Sequence, residues 1–297
     1  MRILLLGKNG QVGWELQRSL APLGEVIALG SDNLGGNFTD LSALEQTVRT
    51  LRPEVIVNAA AYTAVDKAQS EPELARTINA LAPGVLAREA HSLGAWLLHY
   101  STEYVFDGSG DQPWLEGDAT APLNVYGQTK LEGEQLIAES GCAHLIFRTS
   151  WVYAARGGNF AKTMLRLAQE RDTLNVIDDQ FGAPTGADLL ADVSAHALRG
   201  VVGPTPNRGL SGLYHLAASG ETSWYGYAKL VLASAQQAGV QLKLGPAELR
   251  PIASSSFPTP APRPHNSRLN TDKLRTAFDL FLPPWQQGLA RMLKETL

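Results

Sequence analysis

Short apolar runs alternate along the first half of the chain with stretches in which apolar residues recur every three or four positions. Arg2–Leu6, Glu25–Leu29, Glu54–Val57, Ala95–His99 and His144–Phe147 are the short runs. They show little polar alternation, as strands buried on both faces do. Between them lie helical periods. Val12, Leu16 and Leu20 mark the first, and Leu44 and Val48 share a face of Ser42–Leu51, which Arg52-Pro53 closes. Glu71-Pro72 opens a long helix to about His91, with Leu74, Ile78, Leu81 and Leu86 as core positions, and Val125–Glu139 is a further helix. Strand and helix repeated in this order require crossover connections. The pattern therefore predicts an α/β fold, a doubly wound parallel sheet with helices on both faces.

The second half loses that rhythm. Asn159–Glu170 and Ala187–Leu198 read as helices, Gly212–Leu216 as a short strand, and Ser223–Ala238 as a helix with Ser223 at its N-cap. Prolines at 251, 258, 260, 262 and 264 predict an extended irregular loop. Helices near Thr271–Phe278 and Pro284–Glu295 finish the chain. The expected division is a sheet domain over 1–147 and a smaller C-terminal substrate-binding lobe over 148–297, with about 182–200 returning to the sheet.

Composition narrows the classes. At 297 residues, with 44% hydrophobic and 18% charged residues, the chain buries a core without metal or disulfide staples. A formal charge of −4 offers no basic field, so neither nucleic acid nor an anionic membrane is an expected partner. The single cysteine, Cys142, excludes an intramolecular disulfide and a cysteine metal cage. No stretch approaches the roughly 18 apolar residues of a membrane span, and the expectation is a cytoplasmic protein.

Gly7-x-x-Gly10-x-x-Gly13 follows the first strand and opens the first helix. Small residues are needed there because the turn is tight, a diphosphate must approach backbone N–H groups, and helix and strand pack closely. In this context the triplet marks a Rossmann-like dinucleotide site. The second strand ends Ala28-Leu29-Gly30-Ser31, with Asp32 late for a ribose carboxylate. A 2′-phosphate is not repelled, so NADPH and NADH are both permitted. Lys8 and Arg49 are candidates to meet that phosphate, or are ordinary solvated charges. Tyr126 and Lys130 stand at i and i+4 on one helix face. A neighbouring cation favours phenolate, which makes the tyrosine usable as an acid or base near neutral pH. Thr102 ends the fourth strand, where ligands bind in such sheets.

These residues, with Asn58-Ala-Ala-Ala-Tyr-Thr-Ala-Val-Asp66, Tyr100-Ser-Thr-Glu-Tyr-Val-Phe-Asp107, Arg148-Thr-Ser-Trp-Val-Tyr153, Asp179-Gln-Phe-Gly-Ala-Pro-Thr185 and Arg263-Pro-His-Asn-Ser267, make the chain resemble the dTDP-4-dehydrorhamnose reductase family of extended short-chain dehydrogenases along nearly its whole length. The resemblance implies reduction, with NADPH or NADH, of the 4-keto group of dTDP-4-dehydro-6-deoxy-L-mannose to dTDP-L-rhamnose for cell-surface polysaccharide such as lipopolysaccharide O-antigen. It implies Tyr126 as proton donor, Lys130 on the nicotinamide ribose and Thr102 on the keto oxygen. Gly7, Gly10, Gln11, Val12 and Gly13 would form the diphosphate turn. Ala61, Tyr62, Thr63 and Tyr100 would line the cofactor groove, with Asn37 and Phe38 near the adenine. Glu103, Tyr104 and Trp151 would touch the sugar nucleotide. It further implies a homodimer around Mg²⁺ held by Glu15, Asp188 and Glu295. The chain departs from the family's pattern at Glu103, where Asp is usual, at Asn37-Phe38, at Tyr62 in place of His, and at Asp188, shorter than the usual Glu.

Bland readings stand beside these. Trp151 equally suits core packing, His99 reads as a satisfied core histidine, and His265 as a structural hydrogen-bonder. Two rivals remain. A nucleotide-sugar epimerase or dehydratase shares the fold, although elimination needs an acid–base pair where Glu103-Tyr104 supplies one carboxylate. A non-catalytic dinucleotide-binding regulatory subunit is the other, although Thr102, Tyr126 and Lys130 are all present.

Overall fold

The computed structural model describes residues 1–33, 35–202 and 207–297. Its centre is a six-stranded parallel sheet of β1 (Arg2–Leu6), β2 (Glu25–Leu29), β3 (Val55–Asn58), β4 (Trp96–Thr102), β5 (Ala143–Thr149) and β6 (Gly212–His215), in the order β6-β5-β4-β3-β1-β2. The apolar runs are continuous because both faces are covered. Ile3, Leu5, Val55, Val57 and Leu98 face a core shared with α1 (Gln11–Leu20), Ala187–Val202 and Asp272–Phe278. Leu4, Leu6, Ile56, Leu97 and Ile146 face the opposite core, under α2 (Leu41–Leu51), a long α3 (72–93) and α4 (Val125–Glu139). Alternate residues of each strand thus serve opposite layers.

Helix α3 runs from Pro72–Arg76 through a π turn at Thr77–Leu81 into Ala82–Leu93. Strand β4 extends three residues beyond the expected His99, and the helix from Ala187 continues to Val202. Gly212–His215, read from sequence only as a strand, is the sheet's edge beside β5.

A third core joins Phe160–Glu170, Trp224–Gln237 and Trp285–Thr296 through Leu165, Val231, Tyr227 and Leu289. Short pairings stitch this lobe: Leu174–Ile177 with Leu249–Ile252, Val152–Tyr153 with Thr185–Gly186, and Phe181–Gly182 with Thr222–Ser223. Pro251 therefore lies in a strand, not in the expected loop; it is tolerated because the two-stranded pair consists of edges.

Candidate active site

The chain reverses its sheet order between β1 and β3, and a crevice opens there at the strands' carboxyl ends. The glycine turn forms its floor. Gly7 has φ +87°, and a Cβ on it would lie 2.6 Å from the Ala60 nitrogen. A Cβ on Gly13 would fall 2.0 Å from the Gly7 oxygen. Glycine at both positions is thus imposed by backbone contact. Gly10 caps α1 without a side-chain bond, which leaves the helix's first N–H groups oriented towards an anion.

The cleft measures about 540 Å³. Gly10, Gln11 and Val12 line one end, Ala61 and Thr63 a side, and Tyr100, Thr102, Glu103, Tyr104, Tyr126, Lys130 and Trp151 the remainder. Tyr126 stands in the first turn of α4, whose N-cap Asn124 accepts from the Gly127 N–H at 2.9 Å. Burial and the neighbouring Glu103 push the phenol well above its ordinary pKa, and the Thr102 side chain in the same cleft counters part of that rise. Lys130 is buried. Its Nζ donates to the Tyr100 carbonyl at 2.5 Å and lies 3.2 Å from His99 Nε2. Burial pushes it down to about 8, against the pull of Glu134. The expected depression of Tyr126 by Lys130 is therefore not found. The ammonium is directed to β4, and Tyr126 stays a protonated phenol at neutral pH, the state of a proton donor.

Glu103 is buried beside this pair, and its Oε2 accepts from the Thr102 hydroxyl at 2.8 Å. Burial raises its carboxyl to about 7. Trp151 adopts φ +48°, a strained region for a bulky residue, and stacks on Trp224 with centroids 3.6 Å apart and planes at 14°. Both indoles line the cleft.

Several residues escaped the sequence reading. Ser101 Oγ and Thr149 Oγ1 are buried hydroxyls in the cleft wall without a hydrogen-bond partner among the described residues, and a polar ligand would satisfy them. Their position at strand carboxyl ends was the available signal. Trp224 carried none, because its helix reads as ordinary. Asn79, in the π turn, accepts from the Tyr62 N–H at 2.8 Å and donates to Thr129 at 3.2 Å, fastening the Ala61–Thr63 loop to α4.

Other expected contacts fall elsewhere. The Tyr62 hydroxyl donates to Glu71 at 2.7 Å, so its ring belongs to the wall and not to the lining. Phe38 is buried in the core with Leu44 and Val48, where its side chain cannot meet an adenine. Asn37 lines a separate recess with Ser31, Asp32 and Asp40. Arg49 forks to Glu89 at 2.9 Å through two nitrogens and pairs with Glu45, which removes it as a phosphate ligand. Asp32 accepts from Asn9 at 3.1 Å. His265 bonds the Asp179 carbonyl at 2.9 Å, a structural role as expected.

Glu15, Asp188 and Glu295 do line one recess, of about 30 Å³, but Arg291 shares it. The guanidinium lies 3.4 Å from both Asp188 and Glu295, and Arg18 lies 3.5 Å from Glu15. Among the described residues no three acids or histidines are grouped to hold a metal ion. A donor set already neutralised by arginines does not fit Mg²⁺ as it stands.

The profile of the RmlD substrate binding domain family matches residues 1–297. An Escherichia coli (strain K12) protein named dTDP-4-dehydrorhamnose reductase is 60% identical over 99% of this chain and 98% of its own. Among solved structures, a Bacillus anthracis dTDP-4-dehydrorhamnose reductase in complex with NADP is 34% identical with a TM-score of 0.89, and a Clostridium acetobutylicum one is 35% identical with a TM-score of 0.88; each match covers 99% of both chains. The glycine turn, the Thr102–Tyr126–Lys130 cleft and likeness over the full length agree, and this chain belongs to the dTDP-4-dehydrorhamnose reductase family.

Proposed function

We propose that this chain reduces the 4-keto group of dTDP-4-dehydro-6-deoxy-L-mannose to dTDP-L-rhamnose with NADPH or NADH, for cell-surface polysaccharide. The observation that carries the reading is the grouping of Thr102, Tyr126 and Lys130 in one cleft floored by a dinucleotide turn. The nicotinamide supplies the hydride when bound. Tyr126 gives its proton to the sugar oxygen, Thr102 orients that oxygen, and Lys130 holds ribose hydroxyls. Gly10, Gln11 and Val12 hold the diphosphate, and Trp151 with Trp224 offers an apolar wall to the sugar nucleotide. Glu103 is the carboxylate nearest the reacting groups, and elimination would need a second beside it, which weighs against a dehydratase. The intact Thr102, Tyr126 and Lys130 weigh against a regulatory subunit. Both cofactors serve, because the end of β2 carries no acid at Gly30 and a Bacillus anthracis relative binds NADP.

The compartment that goes with a diffusible nicotinamide and a nucleotide-activated sugar is the cytoplasm; among the described residues no helix is long and apolar enough to cross a membrane. A homodimer goes with the family resemblance, and Trp14, 46% exposed with Arg156 3.7 Å above its ring, is a residue such an interface would cover. With Arg291 in the Glu15 recess, its assembly takes no metal. Mixing the protein with dTDP-4-dehydro-6-deoxy-L-mannose and following NADPH absorbance tests the reaction; absence of oxidation with either cofactor overturns it. Sedimentation with Mg²⁺ and with chelator tests the assembly: a monomer under both conditions overturns the dimer, and a dimer lost on chelation overturns its independence of metal.

A further inference from the structure

The bond between Lys130 and His99 has a direction that groups behind it fix. The Asn58 side-chain oxygen accepts from the Ala60 N–H at 3.0 Å. That turns the Asn58 amide nitrogen to His99 Nδ1, 2.9 Å away. An amide NH₂ only donates, so Nδ1 carries the lone pair, and in a neutral imidazole the hydrogen then sits on Nε2. Burial and the nearby Lys130 hold His99 well below its ordinary pKa, so the ring is neutral. Its Nε2–H therefore faces Lys130 Nζ at 3.2 Å. An ammonium has no lone pair with which to accept that hydrogen, whereas an amine has one.

We propose that His99, oriented by Asn58, is a positioning residue whose Nε2–H faces Lys130 and disfavours its ammonium, so that the lysine gives up its proton more readily. Once deprotonated, the amine accepts from His99, and in either form Nζ donates one N–H to the Tyr100 carbonyl. Tyr126 and Glu134 share Lys130's helix, His99 on β4 faces its Nζ, and Arg148 on β5 forks to Glu134 at 2.6 and 2.9 Å; the uncharged Asn58 on β3 bonds His99. Glu103, which accepts from Thr102, lies close enough to Tyr126 to raise its phenol. Glu134 favours the ammonium, and His99 opposes it. Lys130 thereby changes charge near neutral pH, in agreement with the value of about 8 that burial imposes. For the reductase reading, on which this last consequence rests, the lysine's charge becomes responsive to oxygen-rich ligands entering the cleft.

The test needs no turnover. Long-range ¹H–¹⁵N correlation on the unliganded, histidine-labelled protein, with the His99 signals assigned by their loss in His99→Gln, should show the Nε2–H tautomer. The Nδ1–H tautomer overturns the proposal. Asn58→Asp keeps an acceptor for Ala60 but presents a second acceptor to Nδ1, which should switch the tautomer and turn a lone pair to Lys130. The Lys130 ¹³Cε titration midpoint should then rise by about one unit or more. In a His99→Leu background the same new charge should move it less; an equal shift with and without the ring overturns the proposal. If Asn58→Asp does not fold, the wild-type tautomer still decides. A failed reductase assay leaves both readouts standing, so the two readings fail separately.

Discussion

Glu103 shows how one buried carboxyl writes a pH dependence into the molecule. Its folded value of about 7 lies above the 4.5 of an unperturbed glutamate, with burial as the leading cause. Between about 4.5 and about 7 the folded chain keeps a proton that the unfolded chain has lost. Stability contributed by this group is therefore full at low pH, falls as pH rises through that window, and is level above it. The whole effect is roughly 3 kcal/mol, at 1.4 kcal/mol per unit. Glu103→Gln preserves an acceptor for Thr102 and removes the titration. Its Tm relative to wild type should rise between pH 5 and pH 8, whereas a constant offset would show that Glu103 does not titrate there. For Tyr126, removal of the phenolic oxygen in Tyr126→Phe should cut kcat by about 10² to 10⁴, with substrate and cofactor binding little changed. Near-normal turnover in that variant would leave the proposed donor without a role and revive the regulatory reading. The sequence placed Tyr126 and Lys130 together by helical spacing, but not the direction of the lysine, because the carbonyl and imidazole that hold it come from another strand.

At the scale of elements, the strand–turn–helix at the N-terminus tolerates no side chain where backbones touch. Gly13→Ala would bring a methyl into the Gly7 carbonyl, which cannot step aside as a flexible side chain can. A loss of about 1–3 kcal/mol, the usual cost of overpacking, should accompany weakened NADPH binding. Gly10→Ala is the control: its Cβ would meet the Gly7 oxygen at 3.5 Å, an ordinary contact, and thermal stability should stay near wild type. Equal stability loss in both variants would contradict the close-approach account. The lobe's contribution rests on the helix Trp224–Gln237, whose first residue stacks on Trp151. Trp224→Ala should raise KM for the sugar nucleotide roughly tenfold, about 1.4 kcal/mol, within the range of aromatic stacking plus lost area. The expected effect on kcat is smaller, since Trp224 is not hydrogen-bonded to Tyr126 or Lys130; a fall in kcat with KM unchanged would argue against a binding wall. The glycine spacing was legible because contact between adjacent segments constrains local residue choice. The tryptophan stack was not, because its partners lie 73 positions apart with no shared period.

For the molecule as a whole, buried neutral histidines set the acid limit. The His215 ring on β6 bonds the Trp114 carbonyl through Nδ1 at 3.0 Å, and its backbone N–H donates to Glu116 at 2.9 Å, tying the sheet edge to a distant loop. Burial and the neighbouring Arg148 push it down to about 3 from 6.5. Below about pH 6.5 the unfolded chain takes up a proton that the folded chain refuses, so this group's stability is present above that pH and lost as pH falls towards 3. From pH 7 to pH 5 the loss is up to about 2 kcal/mol. The stability advantage of wild type over His215→Gln, measured by urea unfolding, should shrink by that amount across the interval; an unchanged difference would mean that His215 is not held neutral.

At that same scale, the amino-acid sequence determined the α/β order, the five leading strands, the dinucleotide turn and the Thr102–Tyr126–Lys130 set. Each is carried by residues close in the chain or fixed at a strand's end, where burial on both faces or backbone contact leaves few choices. Tertiary structure alone decided that β6 closes the sheet beside β5, that a π turn aims Asn79 at the Ala61–Thr63 loop, and that Phe38 is core. It also assigned Arg49 to Glu89, Arg291 to the acidic recess and His99 to Lys130. These outcomes depend on which distant groups meet when the layers close. A charge, an aromatic ring or an imidazole takes its role from such partners, and no local periodicity specifies them.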